Sequence, residues 1–217
     1  MSKKVSWYDY LWLALYAVAG FSFELILVQI ENIFNLDIND MTTIQYIIHW
    51  VITIIAWSII GFIITKIGKK STGFDIWKSD SKKVSTIQLI LLFICIIINI
   101  VAKYIDWNGF KVLLEFKSRG PILFIFQYLY YVAEGFLISL VIVYGQKACE
   151  LLFKNEKVPY GGIILGLTWG LGHIVSKGSI PIGILSACAG LLFGSVYLLM
   201  NKDYKKSLPL IIILFMI

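Results

Sequence analysis

Long apolar runs, separated by short loops that carry lysine, constrain this chain more than any other feature of its sequence. A helix rises about 1.5 Å per residue, so about 17 to 25 apolar residues cross a hydrocarbon core of roughly 30 Å. The runs predict six full spans, at Tyr8–Ile30, Ile44–Thr65, Thr86–Lys103, Ile122–Gly145, Tyr160–Ser176 and Ile180–Met200. A seventh run, Leu208–Ile217, covers roughly 15 Å and is expected to enter the bilayer without crossing it.

These runs predict an all-α fold, a polytopic transmembrane helical bundle. Backbone polar groups in lipid must be satisfied within a helix or a closed barrel, which leaves few other architectures. Hydrophobic residues make up 59% of the chain, far above an ordinary soluble domain. We expect one integral membrane domain over residues 1–217, with N-terminal helices at 8–121 and a C-terminal core at 122–217.

The basic residues sort by side of the predicted membrane. With a cytoplasmic N-terminus, beginning with Lys3 and Lys4, fourteen of the nineteen lysines and arginines fall inside, and the first outer loop carries only acids. The sequence therefore predicts an N-terminus in the cytoplasm and a multi-pass protein of a cell membrane. Only one of the nineteen cations is Arg and Ile is abundant, which indicates an AT-rich bacterial genome and hence a bacterial cytoplasmic membrane. The net charge of +6 indicates attraction to membrane lipid rather than to nucleic acid. The scattered cysteines, Cys95, Cys149 and Cys188, predict no disulfide, and neither a metal nor a cofactor is expected.

Ionisable residues inside the predicted spans are the first places to look for function, because a charge at mid-bilayer costs about 2.5 to 3.5 kcal/mol on insertion scales. By helical rise, Glu134 lies roughly 16 Å and His173 roughly 20 Å from the cytoplasmic surface, so two neighbouring spans bring them to one level. Glu24 lies roughly 24 Å deep and could join them, whereas His49 lies near the outer surface. No second residue clearly pairs with Glu24 in the sequence.

The facing of the side chains agrees with their depth. Gln127, Tyr131 and Glu134 follow the rhythm of one helix face. In the next span Trp169 and His173 form an i, i+4 pair beside a ridge of glycines at every fourth residue, and the sixth span carries a similar stripe of small residues. Small residues at this spacing predict close packing of the two spans, with His173 at the edge of their contact.

A carboxylate and an imidazole at one level suit general acid/base chemistry on a water held between them. Two structural alternatives stand beside this interpretation. The pair could hydrogen-bond only to lock helices together, or His173 could bond a local carbonyl. Glu24 is read as a structural residue more readily than as a functional one.

Three stretches of the C-terminal core carry a resemblance to a known family. "AEGFLIS" supplies Glu134, "WGLGH" runs from Trp169 to His173, and the glycine-rich "LLFGSVY" ends at Tyr197. Together they resemble the CPBP family, the CAAX prenyl endopeptidase and bacteriocin-processing membrane proteins, over roughly 122–217. The resemblance implies a glutamate-type intramembrane peptidase in which Glu134 and His173 activate water. We expect Trp169, Gln127, Glu24 and Tyr197 to be binding or supporting residues of this site.

The family pattern is incomplete in this chain. In one register of the Glu pair, Gly135 stands where the family has a second Glu and Ser139 where it has an Arg. In the other register these places are taken by Ala133 and Ile138, and in both Ile213 and Ile217 stand where the family has a final His and Asn. The sequence leaves three function classes open: an endopeptidase acting on a hydrophobic or membrane-bound peptide, a non-catalytic peptide-binding or bacteriocin-immunity protein, and a small transporter. No inverted repeat or pair of broken helices, the usual pointers to a transport site, is visible.

Overall fold

The computed structural model describes residues 5–38, 40–79 and 82–217, and over these residues the chain is helical, with no strand. The elements run in the order α1 (Trp7–Ile33), α2 (Thr43–Thr72), α3 (Thr86–Trp107), α4 (Lys111–Phe153), α5 (Tyr160–Leu165), a π-helical turn (Gly166–Gly170), α6 (Leu171–Lys177), α7 (Ile180–Leu199) and α8 (Tyr204–Met216). The predicted all-α class is confirmed for the described chain.

Five of the described helices, α1 to α4 and α7, are long and apolar enough to cross a membrane. The helices α1 to α4 each contain a predicted span and are longer than it, and α7 matches the predicted span Ile180–Met200 to within one residue. The predicted span Tyr160–Ser176 is a helical segment in three pieces, α5, the π turn and α6. Lys3 and Lys4, which begin the charge argument for the orientation, lie outside the described residues.

Polar residues just before the apolar runs start the second and third helices. Thr42 accepts a hydrogen bond from the Gln45 backbone N–H, and the Gln45 side chain bonds back to the Thr42 backbone; Ser85 and Gln88 repeat this capping box before α3. The second helix ends at Gly73, whose φ of 72° is a left-handed conformation that glycine adopts without steric cost. Local sequence signals therefore set these helix ends.

The predicted loop between the third and fourth spans is mostly helical. α4 begins at Lys111 and is interrupted at Gly120, where φ is 74° and ψ is 169°, immediately before Pro121. The chain folds back at this point. The reversal is seen in the Tyr131 hydroxyl, which lies 2.7 Å from a carboxylate oxygen of Glu115. In a straight helix these residues would be roughly 24 Å apart. The first part of α4 is therefore a short helix packed against the second part.

The second part of α4 is the central helix of the bundle. All residues from Gly135 to Gly145 are buried, so every face of this stretch is covered by other helices. Helices α1, α2, α5 and α8 pack around it. A carboxylate on this helix is therefore placed by several neighbours at once.

Glycines make the contact between the α5–α6 segment and α7. A Cβ at Gly194 would lie 2.5 Å from the Gly162 backbone, and one at Gly170 would lie 2.6 Å from the Ala187 Cα. Such distances leave no room for a side chain, so the backbones touch. The predicted close packing of the two small-residue stripes is confirmed.

The short helix α8 is fixed at both ends. The Asp203 side chain accepts hydrogen bonds from the backbone N–H groups of Lys205 and Lys206 at its start. At its end, the side chains of Asn99, Lys103 and Lys111 donate to the carbonyls of Leu214, Phe215 and Met216, respectively. Amide and ammonium donors thus satisfy carbonyls that lack a partner within the helix. Lys103 and Lys111, two cations that flank the connection between the third and fourth predicted spans, are used in this way.

Candidate functional site

The Trp169 indole connects the two ionisable residues that the sequence places at one level. Its Nε1 donates to Glu134 Oε1 at 3.0 Å. The indole and imidazole ring centroids of Trp169 and His173 lie 4.5 Å apart in an edge-to-face arrangement. Glu134, Trp169 and His173, here called the α4–α6 site, therefore form one contact series from the central helix to α6.

The π turn positions the indole. Trp169 lies within this turn, and the turn is wedged against α7 by Gly166 and Gly170, which touch the Ala187 backbone. A π turn inserts one extra residue into a helical turn, so it rotates the side chains around it, and such turns are frequent at functional sites. The glycine contacts hold the turn against α7 and so hold the indole at Glu134.

His173 is held by its own helix. Its Nδ1 lies 2.8 Å from the Trp169 carbonyl oxygen. A carbonyl only accepts hydrogen bonds, so Nδ1 carries the proton, and in the neutral ring Nε2 is left with a lone pair. The alternative in which His173 bonds a local carbonyl is confirmed. Over the described residues the imidazole makes no direct hydrogen bond to Glu134.

One polar atom on each residue remains available. Trp169 occupies Glu134 Oε1, while Oε2 has no hydrogen-bond partner among the described residues, and the same is true of His173 Nε2. Both residues are partly accessible. The site therefore presents a carboxylate oxygen and an imidazole nitrogen, each oriented by a hydrogen bond through its other polar atom.

The positions where the family pattern has further polar residues face α8 instead. A Cβ at Gly135 would lie 2.8 Å from the Ile212 side chain, and Ser139 is buried with its hydroxyl 2.9 Å from the Tyr204 hydroxyl. A longer side chain at either position would displace α8. Gly135 and Ser139 are therefore part of the packing between α4 and α8.

Gln127 belongs to a neighbouring polar cluster. Its Nε2 donates to Glu115 Oε1 at 3.1 Å and to the Tyr131 hydroxyl at 2.7 Å, and Tyr128 donates to the second Glu115 oxygen at 2.9 Å. This cluster reaches the α4–α6 site through aromatic rings, because Phe215 contacts both Tyr131 and Trp169.

Glu24 has partners that the sequence did not reveal. The Tyr130 hydroxyl lies 2.8 Å from both Glu24 oxygens, and His49 Nε2 lies 3.5 Å from Oε1. The expectation that Glu24 lacks a pairing residue is therefore wrong. Within the described residues, its hydrogen bonds join it to α2 and to Tyr130 of α4 rather than to Glu134 or His173.

Tyr197 lies at the other end of α7. Gly183, near the start of α7, packs against Ile174, the neighbour of His173. Tyr197 follows fourteen residues later, roughly 21 Å further along the helix, and its carbonyl accepts the Lys202 N–H in the turn before α8. The structure therefore does not bring Tyr197 to the α4–α6 site.

Sequence reasoning missed Glu115, which is 3% exposed and accepts three hydrogen bonds, with the Lys111 ammonium 3.7 Å away. The i, i+4 spacing of Lys111 and Glu115 was the available signal, but only the turn at Gly120 brings them to Gln127 and Tyr131. Across the described residues, no group of three or more His, Cys, Asp or Glu side chains could hold a metal ion.

By length and composition, the described helices are those of a multi-pass membrane protein. Comparison of the chain with protein-family models, with curated proteins and with solved structures gives no match. Function therefore has to be argued from the geometry of the α4–α6 site.

Proposed function

We propose that this chain is a divergent CPBP-like integral membrane protein that acts as a glutamate-type endopeptidase on membrane-associated peptides or proteins. In this proposal it has six spans and a short C-terminal hydrophobic segment, lies in a bacterial cytoplasmic membrane, and has its N-terminus in the cytoplasm. It needs no cofactor. The α4–α6 site is where the peptide bond would be cut.

One observation carries the proposal. Among the described residues, Glu134 Oε2 and His173 Nε2 have no hydrogen-bond partner, while the other polar atom of each side chain is fixed through Trp169. A water held between them would give a proton to the Glu134 carboxylate while the water oxygen attacks the peptide carbonyl carbon. The same proton would then pass to the leaving amine, and His173 would orient the water. The partial accessibility of both residues gives a peptide a way in.

A second function, non-catalytic peptide binding such as immunity to a bacteriocin, is favoured by a different observation. Gly135 and Ser139 are closed against α8, and the apolar Ile213 and Ile217 stand where the resemblance implies a polar pair. Loss of one oxyanion donor costs about 10²- to 10³-fold in rate in well-studied proteases. A site with this composition binds a peptide more readily than it cuts one.

The test uses purified protein in lipid vesicles with a library of quenched-fluorescent membrane peptides, and mass spectrometry of the products. Glu134→Gln and His173→Gln should each lower the cleavage rate by about 10²- to 10⁴-fold, because the first removes the proton acceptor and the second removes the imidazole that orients the water. The exposed carboxylate Glu156 provides the control, since Glu156→Gln lies outside the site and should leave cleavage unchanged.

Each result selects one function. Wild-type cleavage that persists in both site variants, at equal protein abundance, excludes the peptidase. Peptide binding without cleavage, lost in Glu134→Gln and retained in His173→Gln, supports the non-catalytic function, because glutamine at 173 keeps a hydrogen-bonding side chain. Neither binding nor cleavage by the wild type rejects both functions for the peptides tested.

A further inference from the structure

His49 joins two carboxylates from a neighbouring helix. It lies in the second turn of α2 and is 1% exposed. Its Nδ1 lies 2.9 Å from one oxygen of Glu31 and 3.0 Å from the other, and its Nε2 lies 3.5 Å from Glu24 Oε1. Glu24 and Glu31 are both on α1, seven residues apart and therefore on one face.

This geometry has a preferred protonation state. A neutral imidazole has one N–H, so one of its nitrogens would direct a lone pair at a carboxylate, whereas the imidazolium donates from both nitrogens. A charge-assisted hydrogen bond is roughly twice as strong as a neutral one. The arrangement of His49 between two acids therefore fits the protonated ring.

In the part of the chain that the structure describes, no cation contacts the His49 ring. From α4, the Tyr130 hydroxyl donates to both Glu24 oxygens at 2.8 Å, and the Arg119 guanidinium lies over the Tyr46 ring rather than at either carboxylate. Tyr46, on α2 itself, donates to the Ile38 carbonyl. Within the described residues, the charges that contact His49 are those of Glu24 and Glu31.

We propose that Glu24, Glu31 and His49 form a proton-dependent clamp between α1 and α2. With His49 protonated, both carboxylates are bound and the two helices are held together at the end of the bundle that carries the loop between them. When the proton leaves, one carboxylate loses its imidazole donor, the positive charge between the two acids is gone, and two acidic side chains remain on one partly buried face. The clamp thus stabilises the bundle at acidic pH, and this contribution is lost as the pH rises through the titration of the ring.

Thermal unfolding of the full-length protein in nanodiscs, from about pH 5.5 to about pH 8.5, tests the clamp across the range in which histidine titrates. We expect the wild-type midpoint to fall by about 2–4 °C across this range. His49→Gln should remove the fall, because glutamine does not titrate. The chain has two histidines, so His173→Gln is the matched control and should keep the wild-type dependence.

A second measurement keeps the proposal testable if His49→Gln folds poorly. With ¹³C-labelled histidine, His173→Gln leaves the His49 signal alone in the NMR spectrum, and its shift reports the proton directly. Glu31→Gln should move this titration toward lower pH, because it removes the nearer carboxylate. The clamp is refuted if the His49 titration is the same with and without the Glu31 charge, or if His49→Gln retains the wild-type pH dependence of unfolding.

Discussion

The contact between α7 and the α5–α6 segment allows a sharp test of the packing that holds the α4–α6 site. A Cβ added at Gly194 would lie 2.5 Å from both the Cα and the N of Gly162. Ordinary contact begins near 3.4 Å, and both atoms are backbone, so the two helices would have to separate by roughly 1 Å. Gly194→Ala is therefore a one-carbon change that acts on a whole helix interface.

The expected cost follows from that displacement. A radial gap of about 0.5–1 Å loses a quarter to a half of the dispersion energy of each contact, and overpacking in a well-packed interior costs about 1–3 kcal/mol. Neighbouring contacts are equally close, with a Cβ at Gly190 only 2.8 Å from the Gly166 backbone, so they would open together. We expect a loss of about 2–3 kcal/mol, because helices in lipid associate mainly through such packing.

The matched control is Gly172→Ala. Gly172 lies in α6, and an added Cβ there would meet nothing within 4 Å. Alanine is favoured over glycine in a helix by roughly 0.5–1 kcal/mol, so this variant should be neutral or slightly stabilised. The midpoint of thermal unfolding in detergent should fall by about 5–10 °C for Gly194→Ala and stay level or rise for Gly172→Ala. Equal midpoints for the two variants would refute the close helix contact.

Two further predictions concern the core and the turn before α8. Trp57 is 1% exposed, and its Nε1 donates to the Gly20 carbonyl at 3.0 Å. Trp57→Phe should therefore lower the free energy of unfolding by about 1–2 kcal/mol, measured by denaturant titration. An unchanged midpoint would contradict a hydrogen bond between α1 and α2 at this point. Burial alone would raise the pKa of Asp203, but hydrogen bonds from Ser79 and Lys206 and the Lys206 charge hold that pKa below its ordinary value. This stabilisation is present above the unfolded-state pKa of about 3.9 and is lost as the pH falls through the lower folded-state pKa. Asp203→Asn should therefore lower the free energy of unfolding at neutral pH and weaken its pH dependence between about pH 5 and pH 2, measured by denaturant titration at each pH. A pH dependence in this range identical to that of the wild type would count against the role of Asp203.

The positions of the long helices could be predicted from the sequence because hydropathy and capping are local properties. Thr42 and Ser85 each precede an apolar run, and each is followed three residues later by a Gln. This pattern specifies a helix start without tertiary information. The close approach of α5–α6 to α7 was predictable for a similar reason, since glycines at every fourth residue make one bare face. The π turn was not, because it depends on how that face meets Ala187.

The reversal of the chain at Gly120 could not be predicted from local sequence patterns. Lys111 and Glu115 look like residues of a charged loop, and only the reversal at Gly120 and Pro121 brings Glu115 to Tyr131. The pairing of Glu24 with His49 could have been predicted from the sequence. Both lie near the same end of a helical hairpin, so counting both from the connecting loop would have placed them at similar depths.

Hydrogen bonding separates the buried polar residues into two groups, and this separation favours the α4–α6 site over the other polar clusters as the place for function. Both oxygens of Glu115 accept hydrogen bonds, both oxygens of Glu24 accept one from Tyr130, and Asn99 donates to the end of α8. These contacts offset the cost of placing polar groups in an apolar interior, and structure alone accounts for them. Among the described residues, the Gln127 Oε1 and the Tyr144 hydroxyl are buried without a hydrogen-bond partner, but neither is an acid or a base at neutral pH. Glu134 and His173 are ionisable and partly accessible, and each uses one polar atom to fix its orientation and leaves the other open within the described chain. If the two residues only held helices together, we would expect all of their polar atoms to bond within the protein. A pair that binds a water or a peptide must instead keep one polar atom on each residue unbonded.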